Sequence, residues 1–257
     1  MLEGLYRGAL EDALAREERV SLDELYRLVD RRPPARDARA ALTPRGAVHV
    51  IAEIKRRSPS KGALSDIPDA GDLARQYQSG GASAVSVLTE QRGFGGSLQD
   101  LQNVSDAIEL PVLRKDFLQS EYQIVEARAH GADWVLLIMA GLDDGAVKSL
   151  REVAAGLGMA ALVETHSAAE VERALECGAE IIGVNARDLT TFELDPSLFG
   201  RLAPMIPAGV IRVAESAVGN SQDVARYRDD GAHAVLVGEA LVTGADPAAR
   251  IKEFIGT

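Results

Sequence analysis

The stretch "HGADWVLLIM", residues 130–139, has a form that recurs three more times along the chain. The related segments are "GGASAVSVLT" at 80–89, "CGAEIIGVN" at 177–185 and "DGAHAVLVG" at 230–238. In each, a Gly-Ala pair follows a segment of helical character and precedes an apolar run. A glycine just past a helix can adopt the left-handed conformation that ends the helix. The pattern therefore predicts repeated helix–glycine–strand units and a parallel sheet.

Four further apolar runs, at residues 48–55, 112–115, 159–164 and 209–214, bring the number of candidate strands to eight. Amphipathic segments such as "SEYQIVEARAHG" and "SAAEVERALECG" lie between the candidate strands. Eight such units in about 210 residues match an α/β fold of the (β/α)8 TIM-barrel type. A doubly wound open sheet is the alternative. The count of eight, and the polar residues that collect at strand ends, favour the barrel.

Residues 1–47 precede the first candidate strand and are too few for a confident separate domain. The segment "SLDE", residues 21–24, has the spacing of a capping box and predicts a helix start. Pro33 and Pro34 would break that helix. We therefore expect an N-terminal helical extension over residues 1–47, packed on a catalytic barrel over residues 48–257.

Composition excludes several classes of function. The formal net charge is −11 over 257 residues, which argues against a nucleic-acid-binding surface. No apolar run reaches the roughly 20 residues that cross a bilayer, and the N-terminus lacks the features of a signal peptide. Cys177 is the single cysteine, so an intrachain disulfide and a thiolate zinc cluster are both excluded. These features predict a cytoplasmic protein without membrane partners. The sequence does not determine the oligomeric state, and we expect a monomer or a weak homo-oligomer.

The first candidate strand, "VHVIAEIKRRSPSKG" at residues 48–62, becomes polar only at its end. Side chains alternate between the two faces of a strand, so one face here is wholly apolar. The other face ends in Glu53 and Lys55. A sheet with one solvent-exposed face would be polar along its whole outer side. Polarity confined to one end instead indicates the mouth of a cleft.

Other candidate strands also end in polar or small residues, and active sites of (β/α)8 barrels lie at those ends. These residues are Lys115, Glu164, Asn185, Glu215, Ser216, Gly238 and Glu239. Clustered lysines can lower one another's pKa, which would make one of them a general acid, with a glutamate as base. Arg114 alternates onto the opposite face from Lys115, and we expect it to snorkel between helices.

The turns after the seventh and eighth strands, "ESAVGN" and "VGEALV", contain small residues that let the backbone approach an anion. In this fold these turns often bind phosphate. The loop "SPSKG" after the first strand adds Ser58 and Lys61 near the same mouth. The four histidines show no spacing typical of metal ligands, and each is interpreted as structural or exposed. We therefore expect a small phosphorylated substrate, with no metal and no cofactor.

Together, "IAEIKRRSPSKG", "PVLRKDF", "ALVETH", "GVNARDL", "VAESAV" and "LVGEAL" closely resemble the indole-3-glycerol phosphate synthase family of tryptophan biosynthesis. The resemblance covers the whole barrel, from about residue 48 to 255, and the N-terminal extension also fits it. It implies ring closure, decarboxylation and dehydration of 1-(2-carboxyphenylamino)-1-deoxyribulose 5-phosphate to indole-3-glycerol phosphate.

The resemblance also implies roles for individual residues. Lys115 would be the general acid in ring closure, and Lys55 would hold the substrate carboxylate and donate a proton in dehydration. Glu164 would stabilise positive charge on the anilino nitrogen and transfer protons, while Glu53 and Asn185 would orient Lys55 and the substrate hydroxyls. Implied phosphate neighbours are Ser58, Ser216, Gly238 and Glu239. Phe94, Phe117 and Leu189 would surround the aromatic ring, and the further implied substrate contacts are Arg187, Glu215 and Ala217.

One residue departs from the family pattern. The family usually carries Glu-Ser-Gly where this chain has Glu215-Ser216-Ala217. If that position requires a positive φ, alanine would cost on the order of 1 kcal/mol and its methyl group would crowd the phosphate. We expect weaker substrate binding rather than lost chemistry.

Two alternatives remain at the level of sequence. One is an isomerase of a ribosylamine phosphate on the same fold, which the two lysines disfavour. The other is a non-catalytic paralogue that binds a sugar phosphate, because a fold alone does not fix a function.

Overall fold

The computed structural model describes residues 2–59, 61–189 and 191–256. Eight parallel strands close into a barrel in which each strand pairs with its neighbour in the chain and the last pairs with the first. The strands are β1 (His49–Ile54), β2 (Ala84–Leu88), β3 (Val112–Lys115), β4 (Trp134–Ile138), β5 (Ala160–Thr165), β6 (Ile181–Asn185), β7 (Ile211–Glu215) and β8 (Ala234–Val237). This is a (β/α)8 TIM barrel, and the open sheet considered above is excluded by closure.

Helices alternate with the strands around the barrel. Those that follow the first strand are Ala70–Ser79, Leu98–Ala107, Glu121–Ala129, Asp144–Gly156, Ala168–Glu176, Leu198–Leu202, Ser221–Asp229, Glu239–Val242 and Pro247–Ile255, with short 3-10 turns at Met139–Gly141 and Ala203–Met205. A two-stranded ribbon, Arg57–Ser58 with Gly62–Ala63, extends the loop after β1. Of the helices within the described ranges, none has the length and apolar character needed to cross a membrane.

The recurring Gly-Ala pairs end helices as predicted. Gly81, Gly131, Gly178 and Gly231 all have a positive φ, between 75° and 92°. The amide of the following alanine bonds back to the carbonyl five residues earlier, as in Ala132 N–H to Ala127 O at 2.9 Å. This is the Schellman motif, which caps the helix and turns the chain into the next strand. Repetition of one motif thus delivers successive strands in the same direction.

Strand alternation divides the core into two layers. The inner layer fills the barrel with inward side chains from the strands, including Ile51, Leu113, Trp134 and Leu162. The outer layer packs the opposite faces of the strands against the surrounding helices, and it contains Val50. The inner apolar layer closes the barrel beneath the strand ends, so charged groups above it face a single mouth.

Three helices precede the barrel: α1 (Leu2–Glu17), α2 (Leu22–Val29) and α3 (Ala38–Ala41). The predicted capping box is present at the start of α2, where Ser21 and Glu24 bond reciprocally. The helix ends at Val29, before the two prolines. Helix α1 docks on the barrel through Arg16, whose Nε lies 2.6 Å from Glu126 Oε1.

The expectation that Arg114 snorkels between helices is wrong. Its side chain is fully buried between β3 and the helix Glu121–Ala129. The guanidinium donates to Glu126 at 3.0 Å, to Asp116 at 3.1 Å and to Thr89 at 3.1 Å. A buried charge is tolerated only when it is paired and hydrogen-bonded, and two carboxylates meet that requirement here.

The substitution Gly231→Ala should lower the free energy of unfolding by about 1–2 kcal/mol, because an L-residue is strained at this φ of 88°. A Cβ there would have its nearest contact at 3.5 Å, so steric overlap contributes nothing. Urea titration gives the measurement. The control Gly156→Ala adds the same methyl group to a helix, in open space, and should be neutral or stabilising. Equal effects of the two substitutions would contradict the capping account.

Candidate active site

Two adjoining cavities open at the carboxyl ends of the strands. The apolar residues in the wall of the more apolar one are Leu5, Pro59, Leu88, Phe94, Phe117, Leu136, Ile138, Leu189 and Phe192. The more polar one includes Lys61, Ser216, Ala217, Val218, Gly219, Gly238, Glu239, Ala240 and Thr243. Both cavities share Lys55, Lys115, Arg187, Ser216 and Glu239 in their walls. A ligand with an apolar end and an anionic end could therefore span both, with the two lysines at its middle.

Lys115, the last residue of β3, lies among three buried carboxyl groups. Its Nζ is 3.7 Å from Glu53 Oε2, 4.0 Å from Glu164 Oε2 and 3.9 Å from Glu215 Oε2. The second lysine, Lys55, pairs with Glu53 at 2.9 Å. These groups come from β3, β5, β7 and the end of β1, so barrel closure is what brings them together.

Two glycines provide the space for this cluster. A Cβ on Gly183 of β6 would lie 2.0 Å from Glu215 Oε1. A Cβ on Gly238, just after β8, would lie 2.5 Å from Glu53 Oε1. At both distances a Cβ would displace the carboxyl group from its present position. Each carboxyl group therefore occupies the volume that a larger residue on the neighbouring strand would fill.

The expectation that clustered lysines lower a lysine pKa is wrong for Lys115. Burial alone would lower the pKa of this ammonium group, but Glu53, Glu164 and Glu215 together raise it well above its usual value. Lys115 is therefore an ammonium ion at neutral pH, held by carboxyl groups rather than repelled by Lys55.

The three carboxyl groups are not equivalent. Burial raises the pKa of Glu215 well above its usual value, and the neighbouring Glu164 raises it further. The pKa of Glu164 is lowered despite burial, because His166 and Lys115 favour its ionised form. The pKa of Glu53 is also lowered despite burial, by Lys55 and Lys115. The surroundings therefore favour the ionised form of Glu53 and Glu164 and the protonated form of Glu215.

Hydrogen bonds and an ion pair connect the loops around the polar cavity. Ser216 Oγ donates to Asn185 Oδ1 at 2.7 Å, and the Arg187 backbone N–H donates to the same oxygen at 3.0 Å. Lys61 reaches across from the loop after β1 to pair with Glu239. These bonds link loops after β1, β6, β7 and β8 around one space.

The turn after β7 has an unusual backbone. Ser216 and Ala217 both have positive φ, at 67° and 54°. The premise of the sequence argument, that residue 217 requires a positive φ, is therefore confirmed. Alanine in this conformation costs roughly 1–2 kcal/mol. Its methyl group belongs to the wall of the polar cavity.

Aromatic side chains form the apolar wall. The rings of Phe94 and Phe117 are 6.3 Å apart, and Tyr6 of α1 packs edge-on against Phe117 at 5.6 Å. The loop that carries Phe94 is held by Glu90, whose carboxylate accepts from the Gly93 N–H at 2.7 Å and the Phe94 N–H at 3.0 Å. The N-terminal extension thus packs against the apolar wall through Tyr6.

The structure places most of the predicted residues at this mouth. Lys55, Lys115, Glu164 and Asn185, with Phe94, Phe117, Arg187 and Leu189, line the apolar cavity, and Glu53, Glu215, Ser216, Ala217, Gly238 and Glu239 line the polar cavity. Ser58 lines the apolar cavity and accepts from the Lys61 backbone N–H at 3.2 Å, and its contact with the phosphate stays a prediction.

Sequence reasoning missed several residues of the wall. Leu136 and Ile138 are inward positions of β4, which alternation alone could have identified. Leu5 comes from α1, and Phe192 reaches the cavity from a loop with a φ of 62°, so neither carried a usable signal. Sequence reasoning also gave no role at the site to His166, whose Nε2 lies 3.3 Å from Glu164 Oε1.

Comparison with known proteins adds independent findings. Residues 2–254 match the family model described as indole-3-glycerol phosphate synthase. A protein of that name from Leifsonia xyli is 55% identical over 256 residues, covering 100% of this chain and 98% of the relative. Another, from Kineococcus radiotolerans, is 52% identical and covers 99% of this chain and 94% of the relative.

Solved structures show the same fold at low sequence identity. A 3-hexulose-6-phosphate synthase superposes with a TM-score of 0.63 at 17% identity, covering 81% of this chain and 99% of that one. A thiamine phosphate pyrophosphorylase from Pyrococcus furiosus gives 0.62 at 14% identity, covering 85% and 96%. These likenesses support the barrel architecture alone.

Proposed function

The chain belongs to the indole-3-glycerol phosphate synthase family, and from that premise we propose how the groups at the barrel mouth carry the reaction. It is a carboxy-lyase of tryptophan biosynthesis. It converts 1-(2-carboxyphenylamino)-1-deoxyribulose 5-phosphate to indole-3-glycerol phosphate by ring closure, decarboxylation and dehydration.

One observation supports this assignment of roles above all: an aromatic-lined cavity and a polar cavity meet at Lys115 and Lys55. The substrate has a carboxyphenyl ring at one end and a phosphate at the other, with a ketone between them. The ring fits the wall of Phe94, Phe117 and Leu189. The phosphate fits the turns at Ser216–Gly219 and Gly238–Glu239, where small residues expose backbone N–H groups.

In ring closure, the aryl carbon that bears the carboxylate attacks the ketone carbon, and the carbonyl electron pair moves to oxygen. We assign protonation of that oxygen to Lys115. The three carboxyl groups keep Lys115 in its ammonium form, so the proton is present when substrate arrives. The oxygen gains negative charge as the new bond forms, so an ammonium group beside it can act as its general acid.

Decarboxylation follows when the aryl–carboxylate bond breaks and its electron pair restores the aromatic ring. Lys55 would hold the carboxylate in place for ring closure. The apolar wall disfavours a charged carboxylate and favours its departure as neutral carbon dioxide. Glu164, a carboxylate under the same cavity, would stabilise the positive charge that develops on the nitrogen.

Dehydration completes the indole ring: the hydroxyl group leaves as water and a proton leaves the adjacent carbon. Lys55 is assigned as the proton donor to the departing hydroxyl. Its Nζ is 2.9 Å from Glu53, which would orient it and accept a proton late in the sequence. Asn185 is assigned to the substrate hydroxyls, with Ser216 holding its amide oxygen at 2.7 Å.

We further propose that the chain works in the cytoplasm as a monomer or weak homo-oligomer, with a small phosphorylated molecule as its ligand and no nucleic-acid or membrane partner. The formal net charge of −11 supports this view. So does the absence of a membrane-spanning helix from the described segments of the chain.

The substitution Lys115→Ala should reduce the rate of ring closure by roughly 10²-fold or more, the scale of a lost acid–base group. Single-turnover assays with the carboxyphenylamino substrate, followed by indole fluorescence, give the measurement. Lys148→Ala, an exposed lysine on the helix Asp144–Gly156, is the matched control and should behave as wild type. Near-normal turnover of Lys115→Ala would contradict the assignment. Isomerisation without carbon dioxide release, or binding without turnover by the wild type, would contradict the function itself.

Ala217→Gly should lower KM several-fold at unchanged kcat, because it removes both the strained conformation and a methyl group from the phosphate cavity. Steady-state kinetics measures the effect. Ala240→Gly removes a methyl group from the same cavity at a residue without a positive φ, and it separates crowding from strain. An unchanged KM for Ala217→Gly would refute the idea that residue 217 weakens substrate binding.

A further inference from the structure

Lys115 lies at nearly the same distance from two of the carboxyl groups around it. Its Nζ lies 4.0 Å from the nearer oxygen of Glu164 and 3.9 Å from that of Glu215. Both side chains are 1% exposed, so solvent favours neither of them. The charge of Glu164 adds to burial in raising the pKa of Glu215, so ionising both carboxyl groups has an electrostatic cost. Some other contact must decide which of the two keeps a proton.

Of these two carboxyl groups, Glu164 is the one with a histidine beside it. His166, two residues further along the chain, places Nε2 at 3.3 Å from Glu164 Oε1. The other ring nitrogen, Nδ1, lies 3.4 Å from Glu170 Oε2 in the helix Ala168–Glu176. Glu170 also accepts the backbone N–H of His166 at 2.9 Å, which fixes the start of the helix against the ring. The imidazole therefore lies between two carboxylates, one in the active site and one outside it.

An imidazole between two carboxylates is a cation. Burial alone would lower the pKa of His166, but Glu164 and Glu170 raise it to about 10. The His166 side chain is 13% exposed and the Glu170 side chain is 17% exposed, so solvent reaches both of them. The Glu164 side chain is only 1% exposed. The groups that reach Glu164 from other elements are Glu53 on β1, Lys115 on β3, Asn185 on β6, Glu215 on β7 and Tyr6 on α1.

We propose that His166 is a positioning residue that, as a cation between Glu164 and Glu170, makes Glu164 rather than Glu215 the ionised neighbour of Lys115. The inference rests on the proposed function, because the assigned role of Glu164 requires a carboxylate. A negative charge on Glu164 lies beneath the nitrogen on which positive charge develops. Glu215 is then the carboxyl group that keeps the proton.

Loss of the His166 cation should shift the pH dependence of activity in a predictable direction. Glu164 has a lowered pKa, so activity that needs its carboxylate falls as the pH drops through that value. In His166→Gln the pKa of Glu164 should rise, and the acid limb of kcat/KM should move upward by about 1–3 pH units. In Glu170→Gln the imidazole loses one carboxylate neighbour, so the pKa of His166 should fall.

The control separates this effect from a general loss of structure. His233 lies next to the start of β8, at the end of the barrel opposite the active site, and its ring bonds to Arg212. His233→Gln should therefore leave the pH profile of activity unchanged. In a Glu164→Gln background, His166→Gln should cause no further shift. A folded His166→Gln protein with the wild-type pH profile would overturn the proposal, even if its kcat is reduced.

A direct spectroscopic test does not depend on turnover. NMR of protein labelled with ¹⁵N-histidine, with His166 assigned by its loss in His166→Gln, reports the protonation of both ring nitrogens. We expect an imidazolium throughout pH 6–8 in the wild type and a downward shift of its titration in Glu164→Gln. A neutral His166 ring at pH 7 in the wild type would overturn the proposal. Failure of the wild type to form indole would instead count against the function.

Discussion

The ammonium group of Lys115 among three buried carboxyl groups is the interaction on which the site depends. These groups come from different strands, so they meet only when the barrel is closed. Three carboxyl groups surround one ammonium group, and Lys55 pairs with the other oxygen of Glu53. A buried charge is costly unless it is paired, so the cluster constrains each member to one place and one protonation state.

The architecture around this cluster is repetitive, and its irregular features lie at the mouth. Schellman caps, each with a left-handed glycine, turn the chain from a helix into the next strand at four places. Inward apolar residues fill the barrel below the ions, and glycines at 183 and 238 replace side chains where carboxyl groups need space. Strained backbone is concentrated at Phe192, Ser216 and Ala217, all in the loops that line the cavities. Strain at such positions is typical of binding sites that the surrounding fold holds in place.

Local patterns in the sequence predicted the eight strands, the left-handed glycines and the strand-end polar residues, because each depends on short-range periodicity. Strand ends differ by a residue or two: the seventh was expected at 209–214 and lies at Ile211–Glu215. Protonation states could not be predicted, since the pKa of Lys115 is set by carboxyl groups up to about a hundred residues away in the chain. Leu5 and His166 were missed for the same reason, because tertiary contacts alone give them a role.

The most direct test of the account is a crystal structure with an unreactive substrate analogue in which the ketone is reduced to an alcohol. The account predicts the aromatic ring against Phe94 and Phe117, the phosphate at the turns after β7 and β8, and the analogue's hydroxyl group within hydrogen-bond distance of Lys115 Nζ. An analogue bound in the reverse orientation, or one whose hydroxyl group lies away from Lys115, would contradict it.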